Sequence, residues 1–316
     1  MKRIVREFQF TPAEEQRVRE LSRAVGITET TAGILFARGM DSEEKMRRFL
    51  APSKENLLSP FLMKGMKEAV LLLERAKKEE WRVAVFGDYD ADGIGAVSIL
   101  SRALKEYGIE PYLYVPERAE GYGLTTNAID RIFDEFLPDL IITVDCGISN
   151  ASEVEYIKEQ GCYVIVTDHH ELPETLPDCI CINPKLKDDY PYDNLCGAGV
   201  AYKLSRALIG ERADVLLDFC ALSTVADSVP LLGENRDIVA AGLGLIKGRP
   251  RPAFSALLGK VQDISAQTLA FTLAPRVNAA GRMGDANAAL RLFTSEDEEE
   301  TRVLGELLNN YNSERQ

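Results

Sequence analysis

The hydrophobic pattern of the chain changes character near residue 81. Before it, FTPAEEQRVRELSRAVG (residues 10–26) and SEEKMRRFL (42–50) place apolar residues three and four apart, which predicts amphipathic helices. Pro52 and Pro60 punctuate the next stretch. From Trp81 onward, short β-branched runs alternate with helical ones. RVAVFGD is a strand and GIGAVSILSRALKEYG a helix; PYLYVPE is a strand and LTTNAIDRIFDEF a helix. LIITVD and ASEVEYIKEQG repeat the pair, and CYVIVTD and CICINP add two strands. Strands separated by helices of this length predict a largely parallel sheet with helices on both faces, an α/β fold. From GAGVAYKLSRALIG to the end the pattern is mostly helical, broken at Pro230, Pro250 and Pro252. We therefore expect an N-terminal helical extension over 1–80 and an α/β domain with a helical C-terminal portion over 81–290. Residues 291–316 read as a helix with no stop signal after Gly305, so further protein is expected downstream.

Composition changes this picture little. No apolar run is long enough to span a bilayer, and the basic N-terminus lacks a secretory core, so the cytoplasm is the expected location and no membrane partner is expected. None of the six cysteines forms a C-x-x-C pair, which leaves reduced thiols rather than a zinc site as the expectation. The net charge of −13 argues against broad phosphate-backbone binding, although acids that ligate metal no longer act as free charge and part of the excess sits in SEDEEE (295–300).

The candidate chemistry lies at the strand ends. In a parallel sheet, ligands bind beyond the carboxyl edge. There the first long strand delivers Asp88-Tyr-Asp90-Ala-Asp92-Gly93, the third Asp145-Cys-Gly147, and the fourth Asp168-His169-His170. The chain's only two histidines are in that last group. One aspartate at a strand end is an ordinary turn or capping residue; three converging runs place mutually repelling carboxylates at one edge, and divalent cations are the simplest remedy. Hard oxygen donors with an imidazole suit Mn²⁺ or Mg²⁺. Asp227, in ADSVP, is placed to close the cluster. Adjacent histidines should point to different sides, one to metal and one to substrate. The D-x-D-x-D-G run is not an EF-hand, because Ser98 and Ile99 stand where its closing Glu is needed, and neither a dinucleotide fingerprint nor a P-loop is present.

In order along the chain, GDYDADG, TVDCG, TDHHE and ADSVP resemble the DHH phosphoesterase superfamily. PRVNAAGRM (275–283), PERAEGYGL, CGAGVAYKL and FLAPSKENLLSPFLMKGM resemble its RecJ branch, whose members degrade single-stranded DNA from 5′ to 3′ with Mn²⁺ or Mg²⁺. The resemblance implies a two-metal phosphodiesterase releasing 5′-mononucleotides in DNA repair and recombination. Asp90, Asp92, Asp145, His169 and Asp227 would ligate two ions, with Asp145 shared and Asp88 contributing. His170 would contact the scissile phosphate, and Asp168 would orient an imidazole. Arg118 would grip the 5′-phosphate, while Arg276, Asn278 and Arg282 would contact the strand and Tyr122 would stack on a base. Many superfamily members carry a histidine where this chain has Phe86. Beyond single-stranded DNA, a helicase or single-strand-binding protein is the expected partner. The competing readings are another DHH phosphoesterase (an oligoribonuclease, cyclic-dinucleotide phosphodiesterase or pyrophosphatase) and a non-catalytic replication scaffold. PRVNAAGRM and the N-terminal extension speak against the first, the intact acids and histidines against the second.

Overall fold

A computed structural model describes residues 9–121, 123–186 and 189–315, with the Ala119 side chain outside the description; Tyr122 therefore lies outside the described residues. Two compact units divide at Ser53 and Lys54. In the first, helices α1 (Pro12–Val25), α2 (Glu29–Ala37) and α3 (Glu43–Leu50) gather around Val18, Leu21, Ala32, Leu35 and Met46. Thr11, Thr28 and Ser42 each cap a helix start by accepting a backbone N–H, and Glu14 completes a capping box with Thr11.

The second unit is a parallel sheet clothed in helices. Its chain order is α4 (Met66–Lys78), β1 (Val83–Gly87), α5 (Ala91–Tyr107), β2 (Tyr112–Tyr114), α6 (Thr126–Phe136), β3 (Leu140–Val144), α7 (Ala151–Glu159), β4 (Tyr163–Thr167) and β5 (Ile180–Ile182). Then come α8 (Gly197–Ile209), α9 (Leu217–Ala226), α10 (Gly233–Gly248), α11 (Pro252–Leu258) and the short α12 (Ala266–Thr268). A π-helical turn over Leu269–Leu273 leads into α13 (Ala274–Arg282), followed by α14 (Ala286–Thr294) and α15 (Glu298–Arg315). All strands pair in parallel in the order β2-β1-β3-β4-β5.

Alternation along the strands sorts the two faces. Val83, Val85, Leu140, Ile142 and Ile165 join the larger cluster, with α5, α8 and α9. Ala84, Phe86, Ile141, Val164 and Val166 join the smaller one, with Ile129, Ile132 and Val154 from α6 and α7. Because every central strand is covered on both sides, each reads as a continuous apolar run. Phe86 is fully buried and stacks on Tyr114 with ring centroids 5.7 Å apart. It is a core residue of the smaller cluster.

The helical layer also holds a buried ionic cluster. Lys203 of α8 is fully buried and donates to Glu234 of α10 and to the Leu58 carbonyl at 2.7 Å. Glu234 also accepts from the Leu58 N–H at 2.7 Å and from Tyr190. The polar groups of the segment before α4 are thereby satisfied inside the core.

Candidate metal centre

The site is built at the carboxyl edge of β1, β3 and β4, where each strand hands its chain to a loop. After β1, Asp90 becomes the N-cap of α5: its Oδ1 accepts from Asp92 N at 2.9 Å and Gly93 N at 3.0 Å. Gly93 is required by space, since a Cβ there would stand 2.3 Å from the Asp88 carbonyl. Asp92 reaches the other way, accepting from Gly197 N at 2.7 Å and Ala198 N at 2.9 Å at the start of α8. A carboxylate there complements the positive end of the helix.

After β3, Asp145 adopts the left-handed conformation at φ 59°, tolerated by Asp and Asn more readily than by most residues. Its N–H still extends the ladder, donating to Thr167 O at 3.0 Å. A Cβ on Gly197 would fall 2.3 Å from Asp145 Oδ1, so α8 can begin this close to the carboxylate only with glycine there.

After β4, Asp168 ties the histidine loop together. Its Oδ1 accepts from His169 N at 2.7 Å and His170 N at 3.1 Å and meets His170 Nδ1 at 2.7 Å, while Oδ2 accepts from Ile148 N at 3.0 Å. Asn183, also buried, donates to the His170 carbonyl at 3.0 Å. His169 faces the acids, with Nε2 3.2 Å from Asp145 Oδ1 and 3.8 Å from Asp92 Oδ2, and Nδ1 3.9 Å from Asp227 Oδ2. Asp227 arrives from the C-terminal end of α9.

Three overlapping sets of side chains each offer ligand atoms within 4.8 Å of one another: Asp88, Asp90 and Asp145; Asp92, His169 and Asp227; and Asp145, His169 and His170. Asp145 belongs to two sets and His169 to two. The last set departs from the expectation that adjacent histidines diverge. The rings lie 4.5 Å apart, tilted by 49°. The physical reason is that β4 ends at Thr167, so the two-residue alternation of a strand no longer governs the loop.

Burial and mutual repulsion leave these acids poorly satisfied. Burial, and then the charge of Asp90, push the Asp88 carboxyl up to about 7. Burial with Asp92 and Asp90 does the same for Asp227, also to about 7. Asp90 is raised by burial and Asp92, and Asp145 far above the carboxylate range by burial and the surrounding aspartates. Burial lowers His169, favouring the neutral, ligating imidazole. His170 is raised by its hydrogen bond to Asp168. Burial acts to raise Asp168 too, but the bonds from His170 and Ile148 outweigh it and hold that carboxyl low. Asp88 Oδ1 is buried without a hydrogen-bond partner, and Asp145 Oδ1 has none beyond the 3.2 Å approach of His169 Nε2. Two carboxylate oxygens that no hydrogen bond satisfies, oxygen-rich donors and neutral imidazole fit hard divalent cations such as Mn²⁺ or Mg²⁺.

Asp88, Tyr89 and Asp90 also line a cavity of about 220 Å³ with Arg118, Asn278 and Arg282. Asn278 is structural as well, since its Oδ1 accepts from Ala91 N at 2.8 Å and so holds the turn that carries Asp90 and Asp92. Arg276 is not brought to this cavity. It is half-buried, and its guanidinium donates to Asn309 Oδ1 of α15 and to the Thr272 carbonyl. The sequence pattern places Arg276 and Arg282 together, but six residues on a helix separate two faces. The role of Gly197 is visible in the sequence only as part of CGAGVAYKL; its steric reason appears once α8 meets β3.

The DHH family, N-terminal domain, matches residues 82–224. The single-stranded-DNA-specific exonuclease RecJ of Bacillus subtilis (strain 168) is 39% identical over 310 residues, covering 96% of this chain and 39% of that protein. The Escherichia coli (strain K12) protein of the same name is 37% identical over 304 residues, covering 88% of this chain and 52% of that one. A crystal structure of exonuclease RecJ bound to manganese superposes with a TM-score of 0.75 at 38% identity, covering 82% of this chain and 68% of that one. RecJ from Thermus thermophilus in complex with Mn²⁺ gives a TM-score of 0.83 at 33% identity, with 98% and 45% covered. The chain spans roughly two fifths to one half of the curated relatives it matches.

Proposed function

The chain belongs to the RecJ family of DHH-domain proteins, and from that premise we propose that it hydrolyses single-stranded DNA from the 5′ end, releasing 5′-mononucleotides. The observation that carries this reading is the convergence of Asp88, Asp90, Asp92, Asp145, His169 and Asp227, with two buried carboxylate oxygens that no hydrogen bond satisfies. These residues would hold two Mn²⁺ or Mg²⁺ ions, with Asp145 shared between them. When bound, such ions supply Lewis-acid activation of water and of the phosphate, and offset the charge of the transition state.

The chain's own residues do the rest. His170, held by Asp168 on one ring nitrogen and by Asn183 at its carbonyl, presents a fixed imidazole to a non-bridging phosphate oxygen. Arg118, which lines the same cavity as Asp88, receives the 5′-terminal phosphate, and Arg282 in that cavity contacts the strand backbone. Asn278 keeps the Asp90–Asp92 turn in register, and Arg276 acts indirectly by tying α13 to α15. The catalytic part is assigned to 81–290, with a role in DNA repair and recombination in the cytoplasm beside a helicase or single-strand-binding protein. Among the described residues no helix is long and apolar enough to cross a membrane.

The test is a 5′-phosphorylated single-stranded oligonucleotide labelled at its 3′ end. Stepwise shortening from the 5′ end with Mn²⁺ or Mg²⁺, none with EDTA, and resistance of the duplex are expected. Cleavage of pApA or pyrophosphate in place of the oligonucleotide would move the chain to another DHH activity. Absence of Mn²⁺ uptake by calorimetry would favour the scaffold.

A further inference from the structure

Among the described residues, the cavity beside Asp88 draws its cations, Arg118 and Arg282, to the β1 side of the site. Arg118 and Arg282 stand off the end of β1, whereas the end of β5 is three strands away, roughly 14 Å at the usual strand spacing. A polyanionic strand lying across the sheet edge needs a positive group there as well, the more so in a chain of net charge −13.

Just past β5 the structure provides one. Asn183 is 1% exposed, and its side chain makes two bonds: Nδ2 donates to the His170 carbonyl at 3.0 Å, and Oδ1 accepts from Lys185 N at 2.9 Å. One buried amide thus fixes the backbone of Lys185 to the loop that presents His170. The Lys185 side chain lies along a cavity of about 580 Å³ lined also by Glu171, Pro184 and Tyr190. Its ion-pair partner is Glu171 Oε1 at 2.8 Å, on a side chain that is 89% exposed. An ion pair this open to solvent contributes little, on the order of 0–1 kcal/mol, and exchanges readily for a better anion.

We propose that Lys185 is a phosphate-binding residue on the β5 side of the metal centre, gripping the DNA backbone beyond the scissile bond, and that Glu171 occupies it when no strand is bound. The assignment rests on the nuclease reading above and adds a second bank of positive charge to it. Lysine suits this role, because a mobile point charge follows a strand that must advance after each cleavage, where a bidentate arginine would hold it.

The experiment compares wild-type, Lys185→Gln, Lys185→Arg and Glu171→Gln proteins on a 5′-phosphorylated single-stranded oligonucleotide. Binding is read by fluorescence anisotropy in Ca²⁺, hydrolysis in Mn²⁺, and Mn²⁺ affinity by calorimetry. Lys185→Gln should weaken oligonucleotide binding and raise KM by about 5- to 10-fold near 0.1 M salt, with a smaller change in kcat. Its log–log salt dependence should be shallower by about 0.7, the value for one phosphate contact on a single strand. Lys185→Arg should restore most of the affinity, and Glu171→Gln should tighten binding about twofold. Wild-type affinity and salt slope in Lys185→Gln would overturn the assignment while leaving the nuclease reading intact. So would a loss confined to kcat or to Mn²⁺ affinity, which would make Lys185 a structural neighbour of the ligands. Wild-type protein that neither binds nor cuts the oligonucleotide would overturn both.

Discussion

Asp88 gives the sharpest test of the acidic cluster, because its stress is large and its neighbours are known. Its carboxyl is fully buried, one oxygen has no partner, and burial with the Asp90 charge pushes it from 3.8 to about 7. A shift of about three pH units corresponds to ~4 kcal/mol of native-state penalty once the group ionises. For an acid whose folded value lies above its unfolded one, the unfolded chain releases its proton first. Stability is therefore highest near pH 4, is lost as pH rises toward 7, and is level above that. Asp88→Asn keeps the shape and removes the charge. In EDTA at pH 8 the variant should be more stable than wild type by roughly 2–4 kcal/mol, the lower end allowing for neighbouring acids that relieve part of the strain. For a unit of this size that is a rise of roughly 5–10 °C in Tm. Near pH 4 the difference should vanish. Saturating Mn²⁺ should reverse the order at pH 8, since wild type gains a ligand the variant lacks. Thermal unfolding followed by circular dichroism at pH 4, 6 and 8, with EDTA or Mn²⁺, makes the comparison. A variant no more stable than wild type at pH 8 in EDTA, or a gain independent of pH, would refute the claim that these carboxylates are held together against their own repulsion.

Other perturbations test the same geometry. Asp145→Asn, which tolerates the left-handed backbone, should keep the fold and abolish both hydrolysis and the rise in Tm on adding Mn²⁺; Asp145→Ala should do the same with an added backbone penalty of ~1 kcal/mol. Gly197→Ala places a methyl 2.3 Å from Asp145 Oδ1, so activity should fall at least ~100-fold with far-UV circular dichroism unchanged. Asp168→Asn should lower the His170 titration in metal-free protein, read by NMR, because the hydrogen bond that raises it is weakened. Lys203→Met strands Glu234 in the core and should cost about 3–5 kcal/mol by denaturant unfolding, without touching the metal ligands.

Much of the site is legible in the linear order of residues. Apolar runs ending on Asp88, Asp145 and Asp168, separated by helical periods, point to a parallel sheet with acids gathered at one edge. Less is legible where contacts join distant segments. The motif around Asn278 implies a contact to DNA, but in the fold its side chain holds Ala91, across 187 residues. Arg276 shares a motif with Arg282 yet turns to Asn309. Lys185 follows an ordinary Asn-Pro turn, and nothing in that turn shows that a buried amide couples it to His170.

The sequence by itself determined the layers of the fold, the edge at which chemistry gathers, and the preference for hard cations, because side-chain periodicity and donor type are local properties. Only the tertiary structure decided which oxygens remain unpaired, why glycine must stand beside Asp145, and which cations face the acids. Those outcomes depend on where α8, α13 and β5 meet the sheet edge, and a few ångströms of approach between segments far apart in the chain set each of them.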